Sequence, residues 1–388
     1  MNQKPRILFI LHLPLPLHGA SQMGQYIHDS KVVNNTFECR YINLALARGI
    51  EDVGAFKFHK LNTYLKLIRN IRKEVKTFKP DVVYITPNSK GGAFYKEFVI
   101  VEMLKRMGCK VVAHFHNQGV RDWQKHWYKD LLYKAYFHNM KVILLAEALY
   151  ADVCRYVDRK DVFICHNGIP DKYKKSVIKK HTDDTPHILF LSNLIISKGV
   201  LILLDALRLL NKRGIAFVCD IVGGETAEIS KERLSQEIDH RNLSNMVVYH
   251  GSKYGEEKNS FFRNADVFAF PTYYDYECFP LVLLEAMSFG LPCISTNEGG
   301  IPDIIEDGVT GFIVPKQQTL PLADSLERLI SDKSKCREMG TSGRQKYEQE
   351  FTKDIFENSM VNILMQCVCY DNHNSIDRNN NQLICSKG

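Results

Sequence analysis

Short apolar runs alternate with longer segments whose apolar residues recur at helical spacing, and the alternation continues through most of the chain. In the first half the runs are "RILFILHL", "DVVYITP", "KVVAHFH", "KVILLAE" and "VFICHNG". In the second half they are "HILFLSNL", "AFVCDIVGG", "MVVYHG", "VFAFPT", "PCIST" and "GFIVP". Each is strand-length and mostly apolar at its middle, rich in β-branched or aromatic residues, the mark of a strand buried on both faces. Helical patterns such as "GASQMGQYIHDSKVV" lie between them. Strands separated by helices form βαβ units and a parallel sheet. Two such sets predict an α/β chain of two doubly wound, Rossmann-like domains facing a central cleft, where such sheets bind ligands at the carboxyl ends of their strands. The polar, basic, proline-punctuated stretch from Asn167 to His187 reads as the linker. The domains are therefore expected at 1–175 and 183–350, with an Asn-rich, disordered tail at 371–388.

A chain of 388 residues accommodates two domains of this kind. No run of 18 or so uncharged apolar residues predicts a transmembrane helix. The apolar run Ile7–Leu11 near the N-terminus is too short for a signal peptide and lacks a small-residue cleavage site, so it is read as the first strand. The eleven cysteines are scattered without zinc spacing, which suits free thiols in a reducing cytoplasm and predicts no metal site.

The net charge of +7 is concentrated. From Lys57 to Lys79 eight Lys or Arg face Glu74 alone, while Leu61, Leu65, Ile68 and Ile71 recur at helical spacing, predicting a basic amphipathic helix. From Arg121 to Lys141 both tryptophans, Trp123 and Trp127, are interleaved with tyrosines and lysines. Basic residues beside Trp and Tyr suit an anionic membrane surface. Neither half carries G-x-G-x-x-G, which disfavours a nicotinamide or flavin site, and Gly19 to Gly24 lacks the Lys-Ser/Thr of a phosphate loop.

The densest chemistry lies in "ECFPLVLLEAMSFGLPCIS", where Glu277 and Glu285 bracket seven residues. Pro280 suits a helix start, which puts Glu277 in the preceding loop and Glu285 inside the helix. The first N–H groups of that helix, near Phe279 to Leu281, face outward and favour an anion. At these residues, and through "GGIPDIIEDGVTGFIVP", the chain resembles the retaining glycosyltransferases of family 4, which have the GT-B fold and include enzymes of bacterial surface polysaccharides. Cys278 and Pro280 stand where many members carry glycine.

The resemblance implies that Glu277 binds the hydroxyls of a donor sugar, Glu285 the ribose of its nucleotide, and Cys278, Phe279, Pro280 and Leu281 the phosphates between. Lys198, preceding Gly199, matches the family's diphosphate lysine, but Asn193 occupies the family's arginine position. Asn supplies no charge there. Gly19 covers donor phosphates and acceptor, Gly223, His250 and Gly251 border the nucleotide, and His116 contacts sugar or acceptor, with His114 an alternative on the same strand face. Residues 351–370 are expected to pack back on the N-terminal, acceptor-binding domain.

The implied reaction moves a sugar from a nucleoside diphosphate to a saccharide or lipid-linked acceptor in polysaccharide or lipopolysaccharide synthesis. It needs no metal or other cofactor and no nucleic acid. Glu277, His116 and Lys198 are the expected catalytic residues. The expected location is cytoplasmic, peripheral at the inner face of the membrane. Two alternatives share the fold: a nucleotide-sugar epimerase, and a sugar-nucleotide-binding subunit without activity, which Asn193 would suit.

Overall fold

The computed structural model describes residues 3–14, 19–44, 58–173 and 185–384, with side chains from 61 in the third range and to 369 in the fourth. The chain divides into two compact units. The first comprises Met1–Leu145, Tyr150–Cys165 and Asp354–Gly388, and the second Ala146–Leu149 and His166–Lys353.

In the first unit, β1 (Arg6–Leu11), β2 (Glu38–Asn43), β3 (Val82–Ile85), β4 (Val111–His114), β5 (Lys141–Leu144) and β6 (Val162–Ile164) form a parallel sheet in the order β2-β1-β3-β4-β5-β6. Sequence reasoning finds every one of these strands except β2. Its "ECRYIN" runs along the sheet edge with mostly exposed or half-buried positions, so it lacks the continuous apolar run of a central strand. Ile7–Leu11, on β1 beside the edge strand β2, are wholly buried.

The helix Gly19–Asp29 crosses close to the end of β1. A Cβ at Gly24 would lie 2.2 Å from the His12 carbonyl oxygen. The basic segment forms the helix Phe58–Phe78, with Lys57 outside the described residues. Its expected apolar stripe needs correction: Ile71, Val75 and Phe78 are buried, whereas Leu61 and Leu65 are exposed. Only the C-terminal turns reach the core. The tryptophan segment forms the helices Val120–Trp123 and Trp127–Phe137, the second packing Tyr133 and Tyr136 on Phe94 at ring-centroid distances of 4.9 and 5.3 Å.

In the second unit, β7 (His187–Leu191), β8 (Val218–Val222), β9 (Val247–Tyr249), β10 (Val267–Phe270), β11 (Cys293–Thr296) and β12 (Gly311–Val314) form a second parallel sheet, ordered β12-β11-β10-β7-β8-β9. Both sheets change direction of growth beside their first strand, the topology that creates a binding crevice at the strands' carboxyl ends.

After the short stretch Ala146–Leu149, the chain passes into the second unit for good at His166, at the start of the expected linker and before the expected domain end at 175. Ile169 donates to Phe351 O at 2.9 Å, and the Asp171 carboxylate accepts from Arg344. These bonds fasten the start of the expected linker to the second unit. From Asp354 the closing helix, Lys353–Ile384, groups with the first unit, while residues 351–353 of the expected closing segment stay with the second. Its backbone continues past Asp371, where a disordered tail is expected.

Candidate functional site

In the second unit the sheet ends in loops that gather most of the predicted residues. The helix Leu281–Ser288 begins directly after Pro280, whose φ of −68° and ψ of 116° make it the cap residue rather than the first helical one. Pro280 brings no side-chain cap, and with Leu283 N–H donating to Pro280 O at 3.1 Å the N–H groups of Leu281 and Val282 are left for a ligand or water. Glu277 lies in the preceding loop, buried, and Glu285 lies in the helix.

Lys198 and Glu277 are 79 positions apart in sequence and meet through 2.5 Å, Nζ to Oε2. The backbone explains the meeting. Gly199 has φ +89°, and a Cβ there would lie 2.1 Å from the Pro271 carbonyl oxygen. Tyr273 N–H donates to Ser197 O at 2.7 Å, lacing the lysine loop onto the segment that leads to Glu277. The ammonium also sits 4.4 Å from the centre of the Tyr274 ring, a cation–π contact. Burial, and then the Glu277 carboxylate, push the Tyr274 phenol above its ordinary pKa.

A second group surrounds Asn193. Its Oδ1 accepts from Gly224 N–H at 3.3 Å. Gly223, at φ +154°, presses so closely that a Cβ would lie 1.7 Å from Ser192 O. Gly223 N–H donates to Gly251 O and its carbonyl accepts from Tyr249 Oη, both at 2.9 Å. Asn193 thus braces a glycine loop where the family's arginine would offer charge.

Glu285 is engaged. Lys258 Nζ lies 2.6 Å and Lys172 Nζ 3.7 Å from its Oε1. Sequence reasoning missed both lysines. Lys258 sits in the polar helix Gly255–Asn264 with no motif around it, and Lys172 falls in the expected linker. Gly299 and Gly300, noticed in sequence but assigned no role, complete the loop, with Gly300 N–H donating to Cys278 O at 2.7 Å.

Other expected residues are placed differently. Cys278 and Phe279 are buried, and the Phe279 ring stacks on His166 at 5.4 Å and packs edge-on against Phe351 at 5.7 Å. Their side chains are therefore core, leaving backbone as what they offer a ligand. His250 Nε2 pairs with Asp220 Oδ1 at 2.6 Å, and its ring packs on Phe261 at 4.6 Å. Its imidazole is thereby oriented by the sheet.

Gly19 and His116 belong to the first unit. Gly19 opens its helix, and the turn before it lies outside the described residues. His116 follows β4, half-buried, its ring 4.3 Å from that of His114. His114 is wholly buried against Tyr84 Oη at 2.7 Å, and burial pushes its pKa well below the ordinary range. Near them, sequence reasoning missed a buried network. Glu97 accepts from Asn88 N–H at 2.5 Å and from the Asn88 side chain at 3.0 Å, while Asn117 accepts from Ser89 N–H at 2.7 Å. Burial raises the Glu97 pKa to about 7 against the donated bonds of Asn88.

Comparisons with known proteins agree with this architecture. Residues 171–346 match the family model described as glycosyl transferases group 1, and residues 28–173 match that of glycosyltransferase family 4. The amylovoran biosynthesis glycosyltransferase AmsK of Erwinia amylovora is 32% identical over 181 residues, 46% of this chain and 44% of that protein. The capsular polysaccharide biosynthesis glycosyltransferase CapM of Staphylococcus aureus is 28% identical over 49% of this chain and 47% of its own length. The aligned region thus spans less than half of either relative. In fold, the chain is similar to a glycosyltransferase from Rickettsia africae (TM-score 0.71, 15% identity, 95% of this chain and 99% of that one). It is also similar to Alr3699/HepE of Anabaena in complex with UDP and glucose (TM-score 0.67, 17% identity, 92% and 99%). With two adjoining family models spanning residues 28 to 346 and two parallel sheets of the GT-B kind, this chain belongs to the family-4 type of glycosyltransferases.

Proposed function

We propose that the protein is a retaining glycosyltransferase that moves a sugar from a nucleoside diphosphate to a saccharide or lipid-linked acceptor in surface-polysaccharide synthesis. The observation that carries this reading is the Lys198–Glu277 pair beside the uncapped start of the helix Leu281–Ser288. A lysine and free backbone N–H groups suit a diphosphate, and a carboxylate beside them suits sugar hydroxyls. Relatives named for amylovoran and capsular polysaccharide biosynthesis support the pathway class, and the UDP complex of HepE supports the donor class.

Lys198 and the helix terminus stabilise the charge that grows on the leaving diphosphate, so the reaction needs no metal. Glu277 orients the donor sugar and Glu285 takes the ribose. The departing phosphate accepts the proton of the acceptor hydroxyl on the same face of the sugar. No carboxylate nucleophile is then required, unlike in retaining hydrolases. The first unit, with His116, receives the acceptor, and the protein works at an anionic membrane surface.

The test is product analysis with a panel of nucleoside-diphosphate sugars, with and without saccharide acceptors. A transferase conjugates and hydrolyses donor slowly. Isomerisation of donor without acceptor makes the protein an epimerase. Neither product, despite tight donor binding, makes it a binding subunit.

A further inference from the structure

Three helices of the first unit each leave an apolar pair uncovered. The pairs are Leu61 and Leu65 on Phe58–Phe78, Tyr95 and Val99 on Gly91–Arg106, and Trp127 and Leu131 on Trp127–Phe137. Each pair is four residues apart and so forms one stripe on its helix. The helices adjoin: Tyr64 Oη donates to Lys96 O at 2.7 Å, Phe94 packs on Tyr133 at 4.9 Å, and Tyr95 lies 6.2 Å from Trp123. Trp127 is 77% exposed, Leu131 56% and Leu61 53%. Single exposed apolar residues are ordinary, but a run of them across neighbouring helices marks an interaction surface.

Beside Trp127 lies a cavity of about 450 Å³ lined by Arg121, Gln124, Lys125, Trp127, Asp130 and Arg155. Its one carboxylate is already engaged. Asp130 pairs with Lys134 at 2.8 Å and with Arg155 at 3.0 Å, and it accepts from Tyr156 Oη at 2.7 Å. The cavity therefore presents net positive charge. Gln124 lines it beside Arg121 and Lys125.

We propose that this cavity holds the headgroup of an anionic glycerophospholipid, with Trp127 and Leu131 lying in the membrane interface. Arg121 and Lys125 take the phosphate. An indole flanked by cations and aliphatic side chains is suited to the boundary between headgroups and acyl chains. The inference rests on the membrane part of the proposed function and is independent of glycosyl transfer. It places the principal contact, which the sequence shares between the basic helix and the tryptophan segment, on the Trp127 face.

Vesicle co-sedimentation of the full chain tests it, using phosphatidylcholine with and without phosphatidylglycerol at low salt. Binding to the anionic vesicles is expected to fall at least tenfold in Arg121→Glu/Lys125→Glu, since two reversed charges each change the attraction. Trp127→Ala is expected to lose binding several-fold. In a Trp123→Phe background the Trp127 emission should shift to the blue on anionic vesicles. Unchanged melting temperatures show that these surface variants are folded. If the charge-reversal and Trp127 variants bind like the wild type while Lys66→Glu/Arg69→Glu/Arg72→Glu/Lys73→Glu releases the protein, the cavity is not the headgroup site, although membrane binding stands. If the wild type ignores anionic vesicles, the membrane reading falls with it and glycosyl transfer is untouched. Saturable binding of soluble glycerol phosphate without any preference for vesicles assigns the cavity to a free phosphate and overturns the lipid assignment.

Discussion

Lys198 and Glu277 hold each other in a mostly buried pair, so changing either has two effects. Lys198→Ala leaves a carboxylate without its cation and should cost about 2–4 kcal/mol of stability, at or below the usual penalty because the pair keeps some solvent contact. It should also lower kcat more than it raises the donor KM, since phosphate charge grows in the transition state. Thermal denaturation beside steady-state kinetics separates the two, and a stable variant with unchanged kcat removes Lys198 from the chemistry. Glu285→Ala should weaken donor binding by about 2–4 kcal/mol through lost charge-assisted hydrogen bonds. Lys258 and Lys172, which lose their shared partner, make some loss of stability part of the same experiment. Calorimetric titration with nucleoside diphosphates decides whether the affinity change occurs.

Glu97 gives a pH prediction. Its folded pKa of about 7 lies above its ordinary value of 4.5, so the folded protein holds a proton the unfolded chain has released. That stability is fully present below pH 4.5 and is lost as pH rises to about 7. His114, pushed low by burial, acts in the opposite sense: its contribution is present above its ordinary pKa of 6.5 and lost as pH falls. The difference in melting temperature between the wild type and Glu97→Gln isolates the first effect. It should change between pH 5 and pH 7.5, and a constant difference would remove Glu97 as the titrating group.

At the scale of elements, the loops that end the second sheet depend on close backbone approach. Gly199→Ala forces a left-handed backbone on alanine and drives its Cβ toward Pro271 O. The strain is expected to be on the order of 1–3 kcal/mol, relieved by shifting the loop that carries Lys198. Donor affinity should therefore fall although the substituted residue bears no functional group. Retained affinity together with retained stability would mean that the loop position is unimportant.

Most strands of both sheets are legible as apolar runs, because a central parallel strand is buried on both faces and must be apolar throughout. The edge strand β2 is not, since half of it faces solvent. The basic helix is legible as a helix but not in its burial. Periodicity reports that Leu61 and Leu65 share a face with Ile71, and only packing decides how far along that face the neighbouring core extends.

For the whole molecule, a donor nucleotide at 100 times its dissociation constant should stabilise the protein by about 2.7 kcal/mol by mass action. Differential scanning fluorimetry across nucleoside diphosphates should therefore show one base raising the melting temperature by several degrees, and no shift with any of them would remove the donor-binding reading. The sequence by itself determined the two-sheet α/β class, the helix behind Glu277, and the family to which the Glu277–Glu285 and Lys198–Gly199 motifs belong. The first two follow from short-range spacing, which local periodicity and turn chemistry write directly into the chain, and the third from the resemblance of those motifs to a known family. Tertiary structure decided the partners: Glu277 for Lys198, two lysines for Glu285, a glycine loop for Asn193, Asp220 for His250. It also decided that the polar stretch after His166 belongs to the second unit. Each of these depends on which segments, tens of residues apart, the sheet order brings side by side. Spacing along the chain carries no record of that proximity.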